Sequence, residues 1–286
     1  MYLRLNGSKS DAGNYETGSG IKPLTEYSTT DYTAILGTVL SDGSKLEFNY
    51  TNNRQDKVGY PGLTMDIVYS YTDMYTLKYQ RVTPFMIFSS MNIDLFNTDI
   101  DHLMDNVVLR GNSGNGVMAW PTASDTYGGR IIGTIGSDMR AGIDYEHNRK
   151  DAEQNMVMSG SNVFLTYLWP GVETEKLGIF FEKDLGNISY GLRYDQVELD
   201  PTKAADDAGG MMFKTANEVY TTDYDGTIVA TKRDYDNISG FLRFTKDIDH
   251  GETYINLSVN ERAPDTTELF HAKWNASSAM MRHVGN

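Results

Sequence analysis

Apolar and polar side chains alternate with a period of two along most of this chain, and helical spacing is nowhere sustained. Successive side chains of a strand point to opposite faces, so such alternation describes a sheet with two unlike surfaces. Met139, Ala141, Ile143, Tyr145 and His147 fall on one side, and Arg140, Gly142, Asp144 and Glu146 on the other. Ile188, Tyr190, Leu192 and Tyr194 oppose Ser189, Gly191, Arg193 and Asp195. Ile238, Leu242 and Phe244 oppose Ser239, Arg243 and Thr245, with Phe241 an exception on the polar side. About eleven strands are expected, near 1–8, 26–40, 45–53, 66–80, 84–95, 126–136, 138–148, 174–186, 187–199, 234–247 and 252–262.

The connections divide into two kinds. Short turns at Ser41-Asp42-Gly43-Ser44, Arg81-Val82-Thr83, Ser137, Leu185-Gly186-Asn187 and Ile248-Asp249-His250-Gly251 alternate with long polar stretches at 9–25, 54–65, 96–125, 149–173, 200–233 and from 263 onward. Loops longer than about 12–15 residues are uncommon in compact domains, so several of them at one end of the strands need a cause. No stretch approaches the roughly 18 apolar residues of a membrane helix. A membrane barrel has no such requirement, because its strands need only about 9–11 residues of alternating character, joined by short periplasmic turns and long extracellular loops. The 19 tyrosines suit the aromatic girdles of such a barrel. A soluble sandwich or open sheet would also alternate, and stays an alternative on this reading. An open sheet edge in lipid leaves backbone groups unsatisfied, so residues 1–286 read as one partial barrel domain of a longer chain.

Composition removes other classes. With no cysteine there is no disulfide framework, thiolate metal site or cysteine nucleophile. A formal charge of −14 repels phosphate backbones, so no nucleic-acid partner is expected. No Ser-His-Asp arrangement or nucleophile elbow is visible, and no enzyme is expected. The charged residues on the polar side (Arg140, Asp144, Glu146, Arg193, Asp195 and Arg243) fit a water-filled interior.

Two motifs carry a family resemblance. Residues Leu168 to Asp195 (LWPGVETEKLGIFFEKDLGNISYGLRYD) and Asn260 to Leu269 (NERAPDTTEL) resemble, in that order, two elements of TonB-dependent outer-membrane receptors. Within that superfamily, Tyr60 to Tyr79 and Asp99 to Arg130 are similar to the TonB-dependent copper receptors. The resemblance implies an antiparallel up-and-down transmembrane β-barrel, of which this chain supplies about 11 of roughly 22 strands. The family's plug, its TonB box and its carboxy-terminal strands have no counterpart in residues 1–286. It further implies a place in the outer membrane of a Gram-negative bacterium, contact with its lipid, TonB as partner through the plug, and energy-coupled import of a metal or metal complex.

In the copper receptors a His-x-Met pair in a barrel loop helps to hold copper, and that pair carries over onto His102 and Met104. The chemistry of the two side chains agrees. A thioether is a soft neutral ligand suited to Cu(I), imidazole accepts copper in either oxidation state, and in a strand residues i and i+2 face the same way. Nine of the 14 methionines (Met65, Met104, Met118, Met156, Met158, Met211, Met212, Met280 and Met281) fall in the long polar stretches. A loop methionine is more often adaptable filler than a ligand. Met156 with Met158, and His271, Met280, Met281 and His283 in the terminal stretch, are the further metal candidates; His147 and His250 read as an interfacial strand residue and a turn residue. Copper is thus expected as cargo rather than as a catalytic cofactor. A receptor for a siderophore or other metal complex, and a passive porin-like channel, are the alternatives.

Overall fold

In a computed structural model the chain is described over residues 1–112, 116–158, 161–206, 215–218 and 232–271. Eleven strands form a single antiparallel sheet in chain order: β1 (Tyr2–Ala12), β2 (Tyr27–Val39), β3 (Lys45–Val58), β4 (Asp66–Arg81), β5 (Ser90–Asp105), β6 (Val117–Ile135), β7 (Met139–Met158), β8 (Ser161–Asp184), β9 (Ile188–Pro201), β10 (Arg233–Ile248) and β11 (Gly251–Val259). Each strand pairs only with its sequence neighbours, so short and long connections fall at opposite ends of the sheet. Each expected strand has a counterpart, but the one expected at 84–95 begins only at Ser90, because 82–89 forms the connection after β4 rather than the expected three-residue turn at Arg81-Val82-Thr83.

The register carries the alternation across the sheet. One row of partners runs Leu3, Leu36, Phe48, Leu77 and Leu95. Another runs Ile93, Ile131, Ile143, Ile179, Tyr194 and Ile238. A third joins Phe244 to Ile255 and Leu242 to Leu257. Slipping any strand by one residue would turn its apolar set to the other surface, so the pattern fixes the pairing. These side chains bury little in the chain itself: Leu192 is 62% exposed, Ile238 61% and Ile255 64%. An apolar band this continuous and this exposed needs a nonaqueous neighbour.

The opposite face is polar, with aromatic rings set into glycines. A Cβ at Gly128 would strike Phe96, one at Gly142 would strike Phe180, and one at Gly191 would strike Phe241. Phe241, the exception in the sequence pattern, thus covers a glycine on the polar face. Arg193 donates two hydrogen bonds of 2.9 Å to Asp144 and also binds Asp195, and the bare Gly178 leaves room for its guanidinium.

The long ends differ from expectation in one respect. Much of the polar sequence at 54–65, 96–125 and 149–173 is strand, not loop: β5 runs to Asp105, β6 starts at Val117, and β7 and β8 form a hairpin reaching Met158 and Ser161. The alternation is lost there because polar side chains are frequent on both faces, as in Arg149 to Asn155, and because the β7–β8 ladder shifts register between Lys150 and Asn155, which removes the periodic apolar signal without removing the ladder. After β11 the chain returns over the polar face as a short helix α1 (Thr266–Phe270), capped by Asp265 with Glu268 closing the capping box. Leu269 and Phe270 are buried there against Val172, Val197 and Leu199.

Candidate functional site

The polar ends of β5, β6 and β7 build the site. His102 is opposite Ser70 of β4 and Thr122 of β6, and Met104 is opposite Ile67 and Trp120. Both lie on the polar face, in step with Phe96 and Thr98 of the same strand, and both are half-buried. Two residues along a strand place their Cβ atoms about 7 Å apart, a gap that a thioether and an imidazole can close around one ion. Burial lowers the basicity of the His102 imidazole, with Asp101 opposing the effect. His102 stands five positions past Asn97, or roughly 17 Å along the strand, beyond the apolar band.

The register adds a residue that sequence reasoning left among ordinary loop methionines. Met118 of β6 is the direct partner of Met156 of β7, and it lies two positions from Trp120, the partner of Met104. His102, Met104, Met118 and Met156 therefore share one face over three adjacent strands. Diagonal neighbours in a sheet are within reach of long side chains, so the four form one patch of soft donors. Only pairing reveals this, because 38 positions separate Met118 from Met156.

Polar anchors hold the ends of these strands. Met118 donates its backbone N–H to Asn106 Oδ1 at 2.8 Å and accepts from the Asn106 N–H at 3.2 Å. Asp105 accepts from the backbone N–H groups of Val107 and Val108, both at 3.0 Å, which turns the chain out of β5. Arg110 donates to both oxygens of the buried Asp66, at 2.7 and 2.9 Å, and to the Tyr60 carbonyl at 2.9 Å. Bidentate geometry makes this a strong pair, and it ties the 59–65 connection to the one that follows β5. The turn at Asp105-Asn106 uses ordinary turn chemistry, whereas the Asp66 to Arg110 link is long-range and has no local sequence signal.

The remaining candidates lie apart. Met158 pairs through its backbone with Ser161 at the tip of the β7–β8 hairpin. His271 caps the end of α1, which packs on β8. Three strand spacings, on the order of 15 Å, separate β5 from β8, so the described wall does not bring His271 to His102. Met280, Met281 and His283 lie outside the described residues. His147 stacks on Tyr127 on the apolar face, with ring centroids 4.8 Å apart, and His250 is in a turn at the other end. Among the described residues no group of three or more His, Asp or Glu is placed to hold a metal ion. A second hollow of about 450 Å³ lies on the polar face, where the 261–266 segment crosses Lys176, Asp195 and Leu199.

No family model and no curated protein matches the sequence. Solved structures do. The chain is similar to the copper transporter OprC (TM-score 0.76, 20% identity, 94% of this chain and 42% of that one). It is also similar to the Serratia marcescens hemophore receptor HasR in complex with its hemophore HasA and heme (TM-score 0.59, 18% identity, 94% and 42%). A third likeness is to the FrpB iron transporter from Neisseria meningitidis (TM-score 0.53, 14% identity, 91% and 43%). These likenesses show the fold: the eleven-stranded up-and-down sheet has the architecture of part of each of these structures, in keeping with the barrel segment expected from the sequence. The chain spans about two fifths of the length of each of these structures, from 42% to 43%.

Proposed function

We propose that this chain is barrel wall from an outer-membrane TonB-dependent receptor that imports copper by energy-coupled uptake. Membrane placement is supported by the exposed apolar band, which stays in register across the sheet. A segment with mean hydropathy of −0.45 can still lie in lipid, because only one face of each strand meets it. The cargo assignment rests on one observation: His102 and Met104 share the polar face of β5 above that band, with Met118 and Met156 paired beside them. Thioether and imidazole donors favour Cu(I) over hard cations such as Mg²⁺ or Ca²⁺. The same donor set in a likeness of the copper transporter's fold supports copper over other cargo.

In this reading copper arrives at the open end of the barrel and is taken up as the soft, desolvated ion by the patch. His102 presents a neutral imidazole and Met104 its thioether, while the polar anchors at Asp105, Asn106 and Arg110 keep the strand ends from moving. The plug, contributed by chain outside these residues, supplies further ligands and couples to TonB. The likeness to a hemophore receptor and an iron transporter supports a second reading, a receptor for a metal complex in which His102 and Met104 are incidental.

Copper binding separates the two. In the full-length protein, replacing His102 and Met104 together (His102→Ala, Met104→Ala) is expected to weaken Cu(I) binding by at least about tenfold, or about 1.4 kcal/mol. Equal affinity in the two proteins would remove the copper assignment.

A further inference from the structure

The turns at the short end of the sheet are not alike. Those at 40–44 and 136–138, at 185–187 and at 249–250 are built on Asp, Gly, Ser and Asn, and Ser44 is held by the carboxylate of Asp42 at 3.0 Å. The connection between β4 and β5 is instead Val82-Thr83-Pro84-Phe85-Met86-Ile87-Phe88-Ser89. It forms its own miniature hairpin: Phe85 and Phe88 exchange backbone hydrogen bonds of 2.8 and 3.0 Å, with Met86 and Ile87 at the tip. Met86 is 84% exposed, Ile87 67% and Val82 58%.

Two features show that this tip is not an ordinary solvated turn. Met86 sits at φ 54°, in the left-handed region where Gly or Asn is the usual occupant, so a bulky apolar side chain stands there against a backbone preference. The ring of Phe88 lies where a Cβ of Gly133 would project. Gly133 is in step with Ile131 on the apolar face and pairs with Met91 and Ala141. The hairpin therefore leans onto the apolar face and continues its band past the strand ends. At its root the Arg81 guanidinium covers the Phe85 ring at 4.9 Å and pairs with Asp42 at 3.0 Å, a polar collar beneath an apolar tip.

We propose that the 82–89 hairpin is a lipid-dipping anchor, with Phe85, Met86 and Ile87 seated among the acyl chains of the periplasmic leaflet. Continuity with the apolar band identifies the occupant as lipid rather than a protein partner. The inference rests on the membrane reading of that band and adds a contact which the strands alone do not make. Such an anchor fixes the depth of the barrel at one point on its rim, because withdrawing the tip would expose its apolar surface to water.

The full-length protein in vesicles of phosphatidylethanolamine and phosphatidylglycerol tests this, with a nitroxide attached at Met86→Cys and the unsubstituted protein carried through the same labelling. Leu95→Cys, in the apolar band, and Ser137→Cys, in a polar turn at the same end, are the references. Oxygen is expected to relax the Met86 label several-fold more than a water-soluble nickel chelate does, matching Leu95, while Ser137 shows the reverse order. If Leu95 favours oxygen and Met86 favours the nickel chelate, or is shielded from both reagents by protein, the anchor is wrong and the membrane reading stands. If Leu95 itself favours the chelate, the membrane reading fails as well. Should Met86→Cys not fold, Ile87→Cys carries the same expectation.

Discussion

Along β5 the stretch from Asn92 to Asn97 sends Ile93 and Leu95 to the apolar face, whereas the stretch from Thr98 to Asp105 sends His102 and Met104 to the polar one. Both are plain antiparallel ladder, paired residue for residue with β4 and β6 apart from one irregularity near Ile67. The difference is in what surrounds them. The lower stretch belongs to the exposed apolar band, so its information lies in periodicity. The upper stretch has water on one side and the barrel mouth on the other, so its information lies in individual side chains and in the anchors that hold them. A β-strand can thus carry fold and site in sequence, one after the other, with the same backbone.

The contrast can be broken most severely in the band. Ile143→Arg places a charge where Ile131 and Ile179 are the partners, and is expected to cost about 3 kcal/mol in the unfolding free energy of the full-length protein in lipid. Little loss would mean that the band does not face a bilayer. Next is the anchor at the mouth: Arg110→Ala leaves Asp66, which is 1% exposed, without its cation. A loss of about 2 kcal/mol is expected, with faster amide exchange in 59–65 and 106–112 and none in the band. Uniform acceleration would erase the distinction between the two stretches.

Smaller effects sharpen the site itself. Met118→Leu with Met156→Leu keeps the volume while removing both sulfurs, and should reduce Cu(I) affinity less than the His102→Ala, Met104→Ala pair does, with stability unchanged. An equal or larger loss would move the centre of the site from β5 toward β6 and β7. The smallest effect concerns α1. The Arg262 guanidinium and the Asp265 N–H lower the carboxyl of Glu268 from 4.5 to about 2. A depressed carboxylate stabilises the folded form fully above its unfolded value and stops doing so as pH falls through the folded one. The docking of α1 should therefore weaken between about pH 4.5 and pH 2, a change Glu268→Gln would abolish when read by exchange protection of Leu269 and Phe270.

Sequence and structure diverge at a definite place. The band was legible because apolar side chains recur at alternate positions such as Leu177, Ile179 and Phe181, and the polar turns were legible from Asp42-Gly43 and Leu185-Gly186-Asn187. The strand extensions were not, since Asn148 to Met158 carries no alternation to mark them. His102 and Met104 were singled out through the family motif and the i, i+2 geometry of a strand, and the register places them on one face. Met118 needed the register, and the hydrogen bonds between Asp66 and Arg110 span 44 positions that no local pattern connects.

The proposed function stands or falls with the soft-donor patch on the polar face as the holder of the cargo. X-ray absorption of the full-length protein loaded with Cu(I) tests it most directly. Sulfur and imidazole nitrogen are expected in the copper coordination sphere, with both signals reduced in the His102→Ala, Met104→Ala protein. A spectrum of oxygen donors alone, or one unchanged by that pair of substitutions, would contradict it.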